Sequence, residues 1–273
     1  MKILVPTDFS KLSKIAVHFA LDLSKDFELD MVVLHVITTS TPAMARVSSK
    51  KLEETIKKSS ERQMDELIAS IKKEHGRELS IKAEITYHSS IEKGVESFAV
   101  KNNIDLICIG TKGATGFKKL IFGSNAAGII SNSSVPVLTI PEYATYEGID
   151  HILYSCDLEN LEEELKLLVP YAKLMNAWIH ILHIDKGAGD FVTDLERQED
   201  RLAALVSYDK LKTNTLANDS IINGINQYAT EIGADMVAMF TRSTSLFENL
   251  FNKSITKTVA FQAKTPLLTF QKK

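Results

Sequence analysis

The chain has 273 residues, 44% of them hydrophobic and 25% charged, and a formal net charge of −3 at pH 7. These are globular values. They exclude a disordered polymer, a collagen-like rod and a basic surface that holds nucleic acid by neutralising phosphates. Cys108 and Cys156 lie in strand-like runs outside any CxxC pattern, so a disulfide scaffold and a cysteine metal cluster are excluded too. They read as two reduced core thiols. No run of 18 apolar residues occurs and the opening apolar stretch is three residues long. The expectation is a cytoplasmic chain with no membrane and no nucleic-acid partner.

In chain order, residues 2–6 are short and apolar, as a strand buried on both faces is. Leu12, Ile15, Phe19 and Leu23 then recur at helical spacing. Residues 31–37 predict a second strand. Leu52, Ile56, Met64, Leu67 and Ile71 mark a longer helix in the Lys- and Glu-rich stretch from Lys50 to Lys73, chiefly a solvated face. Residues 80–87 alternate through Ile81, Ala83, Ile85 and Tyr87, as an edge strand does. Ile91, Val95, Phe98 and Ala99 form a third helical stripe, followed by strands at 105–110 and 136–140 around a helix at 124–131. The order βαβαβαβαβ predicts an open, doubly wound parallel sheet with right-handed crossovers. Such sheets bind ligands beyond the carboxyl ends of their strands, where strand order reverses.

The chain then repeats itself. Ile3-Leu4-Val5-Pro6-Thr7-Asp8 returns as Ile152-Leu153-Tyr154-Ser155-Cys156-Asp157 at an offset of 149, and Val33-Leu34-His35-Val36 as Ile181-Leu182-His183-Ile184 at 148. Asp105-Leu106-Ile107-Cys108-Ile109 and Val135-Pro136-Val137-Leu138-Thr139-Ile140 return at an offset of 130. The expected domains are 1–143 and 149–273, the second shorter by about five helical turns between its second and third blocks.

One constellation carries chemistry. Gly110-Thr111-Lys112-Gly113 and Gly123-Ser124-Asn125 form a G-x2-G-x9-G-S loop that opens a helix. Glycines let backbone approach a phosphate, and the free N–H groups and dipole of a helix start favour an anion. Gly110 is expected to keep the sheet edge clear for a ligand, and Ser124 to cap the helix or donate to a phosphate. Lys112 and Lys118 are available as cations but read chiefly as solvated. Asp8, just past the first strand, suits ribose hydroxyls; its competing role is to cap the first helix, for which Ser10 also stands ready. Val36, ending the second strand, offers backbone groups and an apolar wall to a base. His35 and His183, matched between copies, read as packed neutral histidines. His180 and His183 point to opposite faces of a strand and so do not share a metal. No Walker A, G-x-G-x-x-G, G-x-S-x-G or H-E-x-x-H pattern occurs.

These residues resemble the universal stress protein (UspA) family, in tandem and over essentially both halves. The likeness rests on the opening Ile3 to Ser10, on Leu34-His35-Val36, on the glycine loop and on Val135-Pro136-Val137-Leu138. The loop is similar to that of the family's ATP-binding branch. The resemblance implies an adenine nucleotide, ATP or else ADP or AMP, with Mg²⁺ as an optional companion. It places Pro6, Thr7, Asp8 and Val36 around adenine and ribose. Ile109, Gly110, Lys112, Gly113, Gly123, Ser124 and Asn125 then line the ribose-phosphate path. It also implies pairing of domains through their last strands, internally or in a homodimer, and a regulator read by an unknown protein partner. On the residues alone, a slow ATPase or phosphotransfer enzyme and a nucleotide-free interaction scaffold remain as alternatives. In the second copy Phe240, Ser243 and Lys253 replace the three glycines while Ser254 remains. That copy is expected not to hold ATP in the same manner, although Arg242 and Lys253 leave it able to meet a different anion.

Overall fold

The computed structural model describes residues 1–38, 49–75, 80–111, 124–186, 195–241 and 264–271. These fall into two compact units, one ending at Glu142 and one starting at Tyr143.

The first unit runs β1 (Lys2–Pro6), α1 (Lys11–Asp26), β2 (Asp30–Thr38), α2 (Ser49–His75), β3 (Ile81–His88), α3 (Ile91–Lys101), β4 (Leu106–Thr111), α4 (Ser124–Asn132) and β5 (Val137–Pro141). Its strands are parallel in the order β3-β2-β1-β4-β5. The order reverses between β1 and β4. Leu4, Val5, Val33, Leu34 and Ile107 are wholly buried, as the continuous apolar runs require. β3 lies at the edge, and its mixed burial matches its alternating sequence. The stripe on α2 is buried only at Met64, Leu67 and Ile71, whereas Leu52 stays 44% exposed. The first turns of that long helix therefore extend past the face that covers them.

The second unit repeats the plan with β6 (His151–Cys156), α5 (Leu161–Met175), β7 (Trp178–Asp185), a 3-10 turn (Glu196–Gln198), α6 (Glu199–Val206), β8 (Leu211–Ala217), α7 (Ile221–Glu231), β9 (Met236–Thr241) and β10 (Leu267–Gln271). Its parallel order, β8-β7-β6-β9-β10, is that of the first unit.

Equivalent residues make equivalent bonds. The Asp105 carboxylate accepts from the Lys2 amide at 2.7 Å, and Asp235 accepts from the His151 amide at 2.9 Å, so in each unit one aspartate ties the start of the central strand. A Cβ on Gly94 would stand 2.7 Å from Val36 Cγ1, and one on Gly224 would stand 2.6 Å from Ile184 Cδ1. Both glycines let a helix press on the tip of the neighbouring strand. At the edge of the second sheet Glu199 accepts from the Thr213 amide at 2.9 Å, which blunts an edge strand with a charge.

Candidate functional site

The turn after β1 is built by side chains bonding to their own backbone. Ser10 is the N-cap of α1 and accepts from the Ser13 amide at 3.3 Å. Asp8 does not take that position; its Oδ1 accepts from the Ser10 amide at 3.0 Å. Partial burial works against ionisation of Asp8, but hydrogen bonds from Ser10 and Ser13 outweigh it and hold the carboxyl below its ordinary range. The Phe9 amide donates to Thr7 Oγ1, which is 3.0 Å from Ser13 Oγ, and Ser13 Oγ donates to the Ser10 carbonyl. This chain fixes Thr7, which is buried. Phe9 reaches φ 63°, uncommon for a bulky residue, and Leu158 repeats it at φ 68° in the second unit.

His35 departs from the expected packed core residue. It is half-buried, lines the cavity described below, and meets the Phe9 ring at 4.6 Å. Its Nδ1 lies 2.8 Å from the Thr7 carbonyl, and a carbonyl only accepts, so the proton sits on Nδ1. His183 repeats the contact with the Cys156 carbonyl at 3.3 Å. The imidazole thus braces the turn after the central strand in both units. Of the two expected core thiols, Cys108 is buried and its thiol is pushed up by burial, whereas Cys156 is only half-buried.

A cavity of about 230 Å³ opens beyond the carboxyl ends of β1, β2 and β4, against the first turns of α1 and α4. Pro6, Thr7, Asp8, Val36, Ile109, Gly110, Ser124 and Asn125, all singled out from sequence, line it. Lys112, Gly113, Gly123 and Lys118 lie outside the described residues. Sequence reasoning missed His35, Leu12, Ser13, Ile91 and Ile129 on its walls. The matched Leu-His dipeptides signalled His35. Ser13 was readable as the residue three beyond a capping serine.

One expected role changes. Gly110 is not glycine because a ligand needs the room. A Cβ there would stand 2.0 Å from the Leu12 carbonyl oxygen, so it is the backbone of α1 that demands its absence. Ser124 is the first described residue of α4, and its backbone N–H belongs to the first described turn of that helix. α4 opens with no acidic residue, which leaves the positive end of its dipole to whatever enters.

At the matching place in the second unit Phe240 stands for Gly110. Its ring stacks on Phe270 at 4.5 Å and 9° and meets the edge of Tyr154 at 5.6 Å. Tyr154 is wholly buried and donates to Glu164 of α5. Arg242, Ser243, Lys253 and Ser254 lie outside the described residues. Among the described residues no group of three or more His, Cys, Asp or Glu side chains is placed to hold a metal. No described helix is long and apolar enough to cross a membrane.

Comparison with known proteins bears on both units. A model described as the universal stress protein family matches residues 1–141. A universal stress protein of Methanocaldococcus jannaschii is 29% identical over 151 residues, 51% of this chain and 81% of that one. A crystal structure of a universal stress protein from Archaeoglobus fulgidus aligns with a TM-score of 0.71 at 20% identity, covering 99% of this chain and 98% of that one. A functionally unknown protein of Pseudomonas aeruginosa aligns at 0.57 and 14% identity, covering 99% and 92%. At such identities the two structures speak to the fold.

Proposed function

The chain belongs to the universal stress protein family, and from that premise we propose that its first unit binds an adenine nucleotide and serves as a cytoplasmic stress-response regulator. One observation carries the reading. Residues scattered from Pro6 to Asn125 converge on one open cavity, at the point where the strand order reverses. The base rests on Val36 and Ile109, Asp8 accepts from the ribose hydroxyls, and the phosphates take the open amides of α4. Lys112, Gly113 and Gly123 lie outside the described residues, and it is the family resemblance that extends the phosphate path to them, with Mg²⁺ as an optional companion.

A regulator fits better than a brisk phosphotransfer enzyme. The hydroxyls of Thr7, Ser10 and Ser13 and the carboxylate of Asp8 are engaged in holding the turn. Fast transfer needs a base and a positioned nucleophile at the terminal phosphate. The second unit does not take ATP in the same manner, because Gly110's counterpart is Phe240, whose ring stacks on Phe270 and meets Tyr154 edge-on.

The test is titration of the full chain with ATP, ADP and AMP, with and without Mg²⁺, read by calorimetry and thermal unfolding. The expected result is one nucleotide per chain and a gain of about 2.7 kcal/mol at a hundredfold excess over Kd. An unchanged melting temperature with every nucleotide defeats the proposal, and two equal sites per chain defeat the account of the second unit.

A further inference from the structure

Beneath α7 the second unit holds a polar cluster in which two members, His180 and Tyr228, stand where the first unit has apolar residues. His180 of β7 occupies the place of Val32, which is buried, and Tyr228 of α7 occupies that of Phe98. His151 Nδ1 lies 3.0 Å from His180 Nε2. The Tyr228 ring stands edge-on to His180 at 6.3 Å, and its hydroxyl accepts from Asn214 of β8. His180 Nδ1 is closed to solvent and has no hydrogen-bond partner among the described residues.

That geometry admits few protons. Two imidazole nitrogens 3.0 Å apart share one proton, one ring donating and the other accepting. In the neutral pair the arrangement that orphans no N–H has His180 Nε2 donating to His151 Nδ1, with the second proton of the pair on His151 Nε2. One further proton has two places to go. On His151 Nδ1 it faces the N–H of His180, and the contact either breaks or forces the His180 proton across to Nδ1. On His180 Nδ1 it makes the same buried N–H directly. Either way a buried donor is left without an acceptor, or the pair separates.

The charges around the pair oppose the added proton. Lys212, the register partner of His180 on β8, lies 5.6 Å over the Trp178 ring and 3.4 Å from Glu199. Asp235 is engaged by the backbone amides of Asp150 and His151. Glu231 and Glu199 act on Tyr228. Burial first, then the positive charges of His151 and Lys212, hold His180 well below the ordinary imidazole value, at about 4.

We propose that the His151–His180 pair is an acid-sensitive latch, closed while the pair is neutral, whose protonation loosens α7 from β7 and β8 within the second unit. The first unit, with Val32 and Phe98 in these places, has no such device and serves as an internal control.

The experiment is hydrogen exchange of the full chain read by mass spectrometry at about pH 7 and about pH 4, corrected for the intrinsic pH dependence of exchange. Residues 221–231 of α7 are expected to lose roughly tenfold or more of their protection at the lower pH, beyond any loss in 91–101 of α3. His180→Val, which installs the residue used by the first unit, is expected to remove that difference. Equal behaviour of the two helices in the wild type overturns the proposal. So does an undiminished α7 response in His180→Val. Should that variant fail to fold, the wild-type comparison of α7 with α3 decides alone.

Discussion

A side chain at Gly110 and the carbonyl of Leu12 cannot coexist, since a Cβ on the one would stand 2.0 Å from the oxygen of the other. The obstacle is backbone, which has no rotamer to yield. Gly110→Ala is therefore expected to destabilise the first unit by about 1–3 kcal/mol, as overpacking does. Thermal unfolding without nucleotide reads it. An unchanged melting temperature would show that the start of α1 shifts freely.

Asp8 couples the turn to the proposed ligand. Asp8→Asn is expected to weaken nucleotide binding and to lower stability near neutral pH, because the Ser10 amide loses a charged acceptor. The sign with pH follows from a folded-state value held below the ordinary one. The stabilisation is present above the unfolded value and is lost as pH falls through the folded one. The gap between wild type and variant should close below about pH 4. Denaturant titrations of both proteins across pH check it.

Gly224 and Ile184 make a compact test of the helix-to-strand contact. Gly224→Ala should destabilise, since the new methyl meets Ile184 Cδ1 at 2.6 Å, despite a helix-propensity gain of up to about 1 kcal/mol. Ile184→Val removes that atom. The double variant should be more stable than the sum of the two by at least about 0.5 kcal/mol. Strict additivity in a denaturation cycle contradicts the contact.

Phe240→Gly restores the residue of the first unit at the matching place. It is expected to cost about 2 kcal/mol or more, because a half-buried ring stacked on Phe270 and edge-on to Tyr154 is deleted. It should leave nucleotide stoichiometry at one per chain. A second binding event in calorimetry would show that the ring alone had closed the site.

The α/β fold was legible because both units follow the same periodicities. Nearly all-apolar runs became central strands, and the alternating 80–87 run became the edge strand β3 (Ile81–His88). The buried positions of α2 were legible only toward its end, because helical spacing reveals a stripe but not whether a partner face reaches Leu52. The cavity's residue types were readable at Asp8, Val36 and Ser124, where chemistry and position coincide. Gly110 was read for the wrong neighbour, since no spacing in the sequence tells that the Leu12 carbonyl crosses there. The bracing role of His35 depends on a carbonyl 28 residues away. The pairing of His151 with His180 likewise needs the strand register to bring the two rings together.

The shared left-handed turn constrains the two units unequally under mutational drift. At Leu158 a glycine relieves a φ of 68° that leucine tolerates poorly. At Phe9 the same exchange would relax the backbone yet delete the ring that rests on His35. A saturation scan should accordingly accept glycine and asparagine at 158 and retain an aromatic at 9. One conformation, inherited twice, is thus open to repair in one half of the chain and held in place in the other.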